Sequence, residues 1–358
     1  MIDRRLHAPL YIQVKNSIIE DIEQGKIKIG DKLMSEPEMQ KYYGVARPTI
    51  RAALSELVNE GCIRKEHGLG TFCIALPKKE TLINVDVILD QADTYFYPYI
   101  LKGISQVLEN NNCNLFYHDT RKSVMHVTAL LEKILARGTD GVIMIAVSQG
   151  DPFWLQHKEV LQQYQNAKIP FIFLMGTPPL NHLDFMEHSI HLTVDGQYGA
   201  EVAAQYLLDC GHRRVLGVFP QGNRNLRAAG FRQATGHVRD VEAFEITNQD
   251  DFNTIPVLVR EKQITAIQCY NDLVAVECLR VLTEHGLRVP DDVSLIGFDD
   301  TDLSRAAIPQ LTTITHPKDR LGNEAATLLL RKIRNPNEQQ NDVIYRPGLV
   351  IRQSVRTV

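Results

Sequence analysis

Residues 264–300 read ITAIQCYNDLVAVECLRVLTEHGLRVPDDVSLIGFDD, and this stretch decides the fold. Ala266–Tyr270 is a short apolar run. Asn271-Asp272 opens a segment whose apolar residues recur at helical spacing as far as Gly286, and Val293–Phe298 is a second apolar run. Strand, helix and strand in this order form a βαβ unit, with parallel strands and the helix packed across them.

The pattern extends outward. Strand-like runs at Ile83–Leu89, Leu115–His118, Gly141–Ala146, Pro170–Leu174 and Val215–Phe219 join the two above. Helix-like runs at 98–111, 123–137, 196–210, 225–236, 251–262, 272–286 and 318–333 lie between most of them. Parallel sheets covered by helices on both faces are predicted. A segment of ~270 residues is large for one such sheet, so two lobes are expected. The fold class is α/β behind a small α+β front end. Residues 1–76 form the first domain, 77–82 a polar linker around Pro77-Lys78-Lys79-Glu80, and 83–358 the two-lobed domain.

In the front end, Ile12, Val14, Ile18, Ile19 and Ile22 mark one helix, closed at Gly25. Ser35 before Glu36-Pro37-Glu38 is a helix start, with an N-cap, a proline in the first turn and a glutamate three residues on. That helix stops at Gly44. A third follows Val45-Ala46, with Ile50, Leu54, Leu57 and Val58 as its buried stripe, and ends at Gly61. Two short strands, Cys62–Lys65 and Thr71–Ile74, flank His67-Gly68-Leu69-Gly70 as a hairpin. Helix, helix, tight turn, helix and hairpin make a winged helix-turn-helix, which lays its last helix in the major groove of DNA. Arg47, Thr49 and Arg51 sit in the first turns of that helix. An arginine there can bridge guanine O6 and N7 or clamp a phosphate. Residues 1–79 hold 13 Lys+Arg against 10 Asp+Glu, in a chain whose net charge is −4. A basic front end on an acidic protein suits an anionic partner, although solvated surface arginines give the same count.

The front end resembles the GntR family of winged-helix regulators. The likeness rests on Pro9–Val14, Gly25-Lys26-Ile27, Gly30–Leu33, Ser35-Glu36, Gly44–Arg51 and Gly68–Phe72. It implies operator contacts from Arg47 and Arg51, with Ser35, Glu36, Thr49, His67 and Gly68 beside them. Pro37 and Ala46 depart from that family, which commonly has a basic residue and a Ser or Thr there.

In open parallel sheets, ligands bind beyond the carboxyl ends of the strands. The residues just after the strand runs are therefore candidates. They include Tyr95, Phe96 and Tyr97; Ser148 and Gln149, with Phe153 and Trp154 following; Arg227; Asn271 and Asp272; Asp299 and Asp300. Amides, carboxylates, one arginine and aromatic rings suit a neutral polyhydroxy ligand. Competing readings stand beside these. Asp272 and Asp300 can cap helices, Trp154 can be core, and Tyr95–Tyr97 can be packing at a helix start. From about residue 82 onward the chain resembles the LacI/GalR regulators, whose core is the periplasmic-binding-protein-like fold. Val194–Gly196, Gly211–Arg214, Arg227 with Gly230-Phe231, Asn271-Asp272, Gly286–Ser294, Gly297–Asp300 and Pro309–Thr313 carry that likeness. It implies sugar contacts from Arg227, Asn271 and Asp299, with loop contacts from Tyr95, Phe96 and Ser148. The front-to-back combination, with Cys269–Asp272, Thr315–Lys318 and the tail Asp342–Ser354, resembles regulators of arabinose utilisation. It implies a pentose effector such as L-arabinose.

The expected function is a repressor that binds double-stranded operator DNA as a homodimer and releases it on binding sugar. A ligand-dependent activator is the alternative. A sugar-metabolising enzyme is disfavoured, since there is no Walker loop, G-x-G-x-x-G fingerprint or G-x-S-x-G elbow. No cofactor or membrane partner is expected. The six cysteines are scattered without a C-x-x-C pair, and no apolar leader precedes Tyr11, so reduced thiols in the cytoplasm are expected. His182, His188 and His191 match no common metal spacing and read as solvated loop histidines.

Overall fold

The computed structural model describes residues 9–66, 68–76, 82–89, 96–121, 124–145, 151–175, 189–220 and 226–358, the side chains of 124–125, 151–156 and 249–250 excepted. The chain divides into two units, Met1–Thr81 and Leu82–Val358.

In the first unit, α1 (Leu10–Glu23), α2 (Glu36–Tyr43) and α3 (Arg47–Asn59) precede a hairpin of β1 (Ile63–Glu66) and β2 (Gly70–Cys73). Ser35 closes a capping box on α2: its Oγ accepts from the Glu38 N–H, and the Glu38 carboxylate accepts from the Ser35 N–H. Gly44 ends the helix with a left-handed φ of 66°, which a side chain would strain. Val14, Ile18 and Ile22 of α1 pack on Ile50, Ala53, Leu54 and Leu57 of α3. Val58, expected in that stripe, is exposed instead; Ala53, one turn before Leu57, takes the place. The residue before α3 is Ala46, which supplies no side-chain cap.

Among the described residues the second unit contains two six-stranded sheets. The first sheet is built from β3 (Ile83–Leu89), β4 (Cys113–Asp119), β5 (Gly141–Ile145), β6 (Phe171–Leu174) and β7 (Ser189–Val194). Its helices are α4 (Tyr97–Glu109), α5 (Val124–Arg137) and α6 (Asp151–Asn166). The second sheet follows with α7 (Gly196–Asp209), β8 (Arg214–Val218), α8 (Leu226–Gly236), β9 (Glu242–Ile246), α9 (Ile255–Glu261), β10 (Ala266–Cys269), α10 (Asp272–Glu284), β11 (Ser294–Phe298), α11 (Asp302–Ala306) and β12 (Thr312–Thr315). Then α12 (Lys318–Arg334) and β13 (Val343–Tyr345) return to the first sheet, and β14 (Gly348–Val350) closes on the second. The orders are β13-β7-β6-β5-β3-β4 and β14-β12-β11-β10-β8-β9. All pairings are parallel except β12 with β14.

The strand and helix runs read from the sequence are therefore present, with ends shifted by a residue or two, except that the run expected at 251–262 is α-helical only over Ile255–Glu261 and begins as 3-10 helix. Strands β7, β9 and β12–β14, and helices α6 and α11, are additions to the sequence-based reading. The chain crosses between sheets near Asp195, at His316-Pro317 and at Arg346-Pro347. Because α12 belongs with the first sheet, Leu321, Ala325, Ala326 and Leu329 share a core with Val85, Val87, Ile100 and Ile104.

The α4–α12 crossing is close enough to require glycine on both sides. A Cβ on Gly322 would stand 2.1 Å from the Ile100 carbonyl oxygen, and one on Gly103 2.3 Å from that of Asp319. Backbone cannot give way cheaply at such distances. Gly322→Ala should thus cost about 1–3 kcal/mol despite its better helix propensity. Urea unfolding of the two proteins measures this; an unchanged or raised midpoint would contradict the close crossing.

Candidate functional site

The first candidate surface is the start of α3. Arg47 and Arg51 lie one turn apart, 60% and 65% exposed, and both reach back to Glu36 on α2. The Nε atoms make these contacts, at 2.9 Å from Arg47 to Oε2 and 3.4 Å from Arg51 to Oε1. The hydrogen bond from Arg47, opposed by partial burial, holds the Glu36 carboxyl below its usual range. The pairs hold the two guanidinium groups beside the N-terminus of α3, whose N–H groups lack a side-chain cap. Thr49 is half-buried in the same turn, Ser35 caps α2, and Gly68 is exposed in the hairpin turn at φ 76°. His67 lies outside the described residues. Six of the seven expected DNA-contact positions are thus described.

The second candidate surface is the carboxyl end of the second sheet. There the strand order reverses between β8 and β10, the kind of point at which open parallel sheets place their ligands. Arg227, second residue of α8, spans this point. Its Nη1 donates to the Tyr270 carbonyl oxygen at 2.6 Å and its Nη2 to Asp299 Oδ1 at 3.0 Å. The guanidinium lies 3.7 Å from the centroid of the Phe298 ring and 4.6 Å from that of Tyr270. Burial pushes the Asp299 carboxyl up, but Arg227, His316 and Lys318 outweigh burial and hold it at about 2. Asp299 is therefore an anion in any physiological medium, despite being buried.

In the sequence His316 and Lys318 are only part of the run Thr315–Lys318; the structure makes them neighbours of Asp299. His316 is buried, with Nε2 3.4 Å from Asp299 Oδ1 and its ring 5.0 Å from that of Phe96. Burial lowers its pKa against the pull of Asp299. Its Nδ1 is buried without a partner among the described residues. Phe96 precedes α4 and also packs with Tyr97 into the first sheet's core, as the helix-start reading of these aromatics had it. Phe96, Arg227 and Asp299 thus meet in one cluster. Tyr95 and Ser148 lie outside the described residues, as does the Trp154 side chain; Trp154 itself belongs to α6 rather than to a loop.

Two capping assignments are corrected. Asn271, not Asp272, caps α10: its Oδ1 accepts from the Val274 N–H at 2.9 Å. That commits one end of a side chain expected to face ligand. Asp272 is fully buried and accepts from the Thr301 N–H, Thr301 Oγ1 and Thr313 Oγ1. Asp300 caps nothing either; Arg352 and Arg305 take its carboxylate, and Thr301 precedes α11. His191, read as a loop histidine, is a buried residue of β7 with its ring stacked on Phe173 at 5.1 Å. His182 and His188 lie outside the described residues, and among the described residues no group of His, Cys, Asp or Glu is placed to hold a metal.

The family described as bacterial regulatory proteins, gntR family, matches residues 10–73, and a periplasmic binding protein-like domain matches 204–355. Together with the two surfaces above, these define a class: a DNA-binding transcriptional regulator with a winged helix ahead of a two-sheet ligand domain. The chain is 30% identical over 371 residues to the arabinose metabolism transcriptional repressor of Halalkalibacterium halodurans, covering 96% of this chain and 94% of that one. It is 28% identical over 374 residues to the protein of the same name from Geobacillus stearothermophilus, covering 98% of both. The chain belongs to the family of these arabinose metabolism transcriptional repressors. Among solved structures, a ribose-bound LacI family transcriptional regulator from Enterococcus faecium superposes with a TM-score of 0.64 at 22% identity, over 77% of this chain and 99% of that one. That likeness is one of fold. Among the described residues no helix is long and apolar enough to cross a membrane.

The buried pair Asp272 and Asp299 has a consequence for stability. Burial, then the charge of Asp299, raises the Asp272 pKa from 3.8 to about 6. Between those values the folded chain holds a proton that the unfolded chain has lost. Stability contributed by this group therefore falls as pH rises from about 4 to about 6, by about 2–3 kcal/mol in all. Urea unfolding at pH 4.5 and 7.5 should show Asp272→Asn with a markedly smaller loss than the wild type; equal losses would show that Asp272 titrates normally.

Proposed function

We propose that this chain represses carbohydrate-utilisation genes and releases its operator when a pentose, L-arabinose foremost, binds between the two sheets. The observation that carries the reading is the Arg227–Asp299 pair, a planar cation and anion at the point where strand order reverses. Such a pair offers both donors and acceptors to adjacent hydroxyl groups. Asn271, Phe96, Tyr95 and Ser148 complete the proposed contacts. The winged helix supports the other half: Arg47 and Arg51 at the α3 terminus read or clamp DNA, with Ser35, Glu36, Thr49, His67 and Gly68 at its margins. The reading invokes no cofactor and no catalysis, and places the protein in the cytoplasm with its operator.

A sugar can act on DNA affinity only through a difference in its affinity for two states of the protein. Hinge motion of the two sheets at their three crossings, passed to a second subunit, provides such states. We therefore place the chain as a homodimer reading a two-fold operator. Ile308, 91% exposed in the loop after α11, and Ile351, 61% exposed, are large apolar groups suited to that contact.

Two measurements test these assignments. On a duplex selected from random sequence, Arg47→Ala should weaken binding by about 1–3 kcal/mol while calorimetric affinity for L-arabinose is kept. Asp299→Asn should do the reverse, abolishing the sugar response with sugar-free DNA binding intact. If Asp299→Asn binds L-arabinose as the wild type does, the effector site lies elsewhere. Separately, sedimentation should give a dimer at micromolar concentration that Ile308→Arg weakens; a wild-type monomer under those conditions would end the dimer assignment.

A further inference from the structure

Asp299 and Asp300 leave β11 with φ of 102° and 48°. Consecutive residues with side chains take up that region only when their surroundings impose it. Part of what imposes it is local: the Asp299 N–H donates to the Ile314 carbonyl oxygen at 2.7 Å, and Arg305 and Arg352 hold the Asp300 carboxylate. The Asp300 N–H also donates to Thr313 Oγ1, and Arg305 Nη2 to the Asp300 carbonyl oxygen, both at 3.4 Å. A further contact comes from farther away. The Lys318 ammonium donates to the carbonyl oxygens of both residues, at 3.1 Å for Asp300. Its Nζ also lies 5.8 Å from the centroid of the Phe96 ring and 5.9 Å from that of Tyr99, so the side chain is buried rather than extended into water.

The position of Lys318 in the chain makes this contact more than local fastening. It is the first residue of α12, directly after the His316-Pro317 crossing. The body of α12 packs with α4 and the strands of the first sheet. One cation thereby ties the turn bearing Asp299 on the second sheet to a helix that moves with the first.

We infer that Lys318 is the positioning residue for Asp299, setting the aim of its carboxylate and linking that aim to the arrangement of the two sheets. The inference rests on the sugar-binding reading of this cluster. Without the ammonium, the two carbonyls lose their shared donor and the turn can relax toward ordinary backbone angles. The carboxylate then leaves Arg227 and the ligand, and a shift of α12 no longer reaches it.

The test is titration of the full-length protein with L-arabinose by calorimetry, well below its melting midpoint. Lys318→Met should raise Kd at least about tenfold, the scale of one charge-assisted hydrogen bond, with sugar-free operator affinity unchanged. Lys318→Arg, which can still donate to both carbonyls, should recover most of the loss. A residue that only stabilised the fold would lower the melting midpoint and leave Kd alone. Should the methionine variant fail to fold, Lys318→Gln keeps one donor and should fall between; a Kd equal to wild type for either variant overturns the inference. Failure of wild-type protein to bind L-arabinose, D-ribose or D-xylose overturns the sugar reading itself, and with it this inference.

Discussion

Two carboxylates, Asp272 and Asp299, are buried at the tips of the second sheet, and among the described residues a cationic side chain pairs directly with Asp299 while Asp272 meets hydroxyls and a backbone N–H. A buried unpaired carboxylate is expensive enough that it holds its proton instead. Asp299 keeps its charge through Arg227 and Lys318. Asp272 is met by two threonine hydroxyls and one N–H, and its pKa rises to about 6. The division of roles follows: Asp272 ties α10 to the segments carrying Thr301 and Thr313, while Asp299 presents a permanent charge. A ligand hydroxyl placed beside Asp299 would meet a strong acceptor whose state does not vary over the physiological pH range.

The path of the chain explains why those cations come from where they do. Arg227 comes from α8 of the same sheet and Lys318 from α12, which the three crossings assign to the other. Glycine-mediated contact fixes α12 on α4, because side chains at Gly103 and Gly322 would run into backbone. A close-packed pair of this kind moves as a body rather than by bending. Relative motion of the sheets must then be taken up at the crossings, and Lys318 stands at one of them.

Much of this was legible in the sequence, for stated physical reasons. Capping chemistry is local, so Ser35, Glu38 and Gly44 announced α2 correctly. Apolar runs separated by helical periodicity announced the parallel sheets, because strands buried on both faces are apolar throughout. The omissions share a cause. β9, β13 and β14 are sheet-margin strands with partly exposed residues, and β12 is Thr312–Thr315, whose polar residues are buried by partners distant in sequence. Asn271 and Asp272 are adjacent, and both can cap; only the distant Thr301 and Thr313 decide between them. Likewise, nothing in Thr315–Lys318 shows that the lysine turns inward to the carbonyls of Asp299 and Asp300. Arg227 and Asp299 stood out as candidates because strand tips of such sheets are a general site, and charged groups there are conspicuous.

The two ends of the chain use opposite electrostatic strategies. At α3, Arg47 and Arg51 are shared by one half-exposed carboxylate, Glu36, in water. Exposed pairs of this kind are worth about 0–1 kcal/mol, so a phosphate can displace Glu36 at little cost. The pairing keeps both guanidinium groups near the helix terminus without locking them there. Ala46 supplies no side-chain cap, so the positive end of the α3 dipole faces the same anion. Contacts so exposed are screened within ~8 Å at physiological salt, which makes this end responsive to ionic strength. Arg227, Lys318 and Asp299 are shielded from solvent and respond instead to geometry. A regulator needs both: a weakly committed set of charges that exchanges partners on a polyanion, and a strongly committed set that changes only when the sheets move.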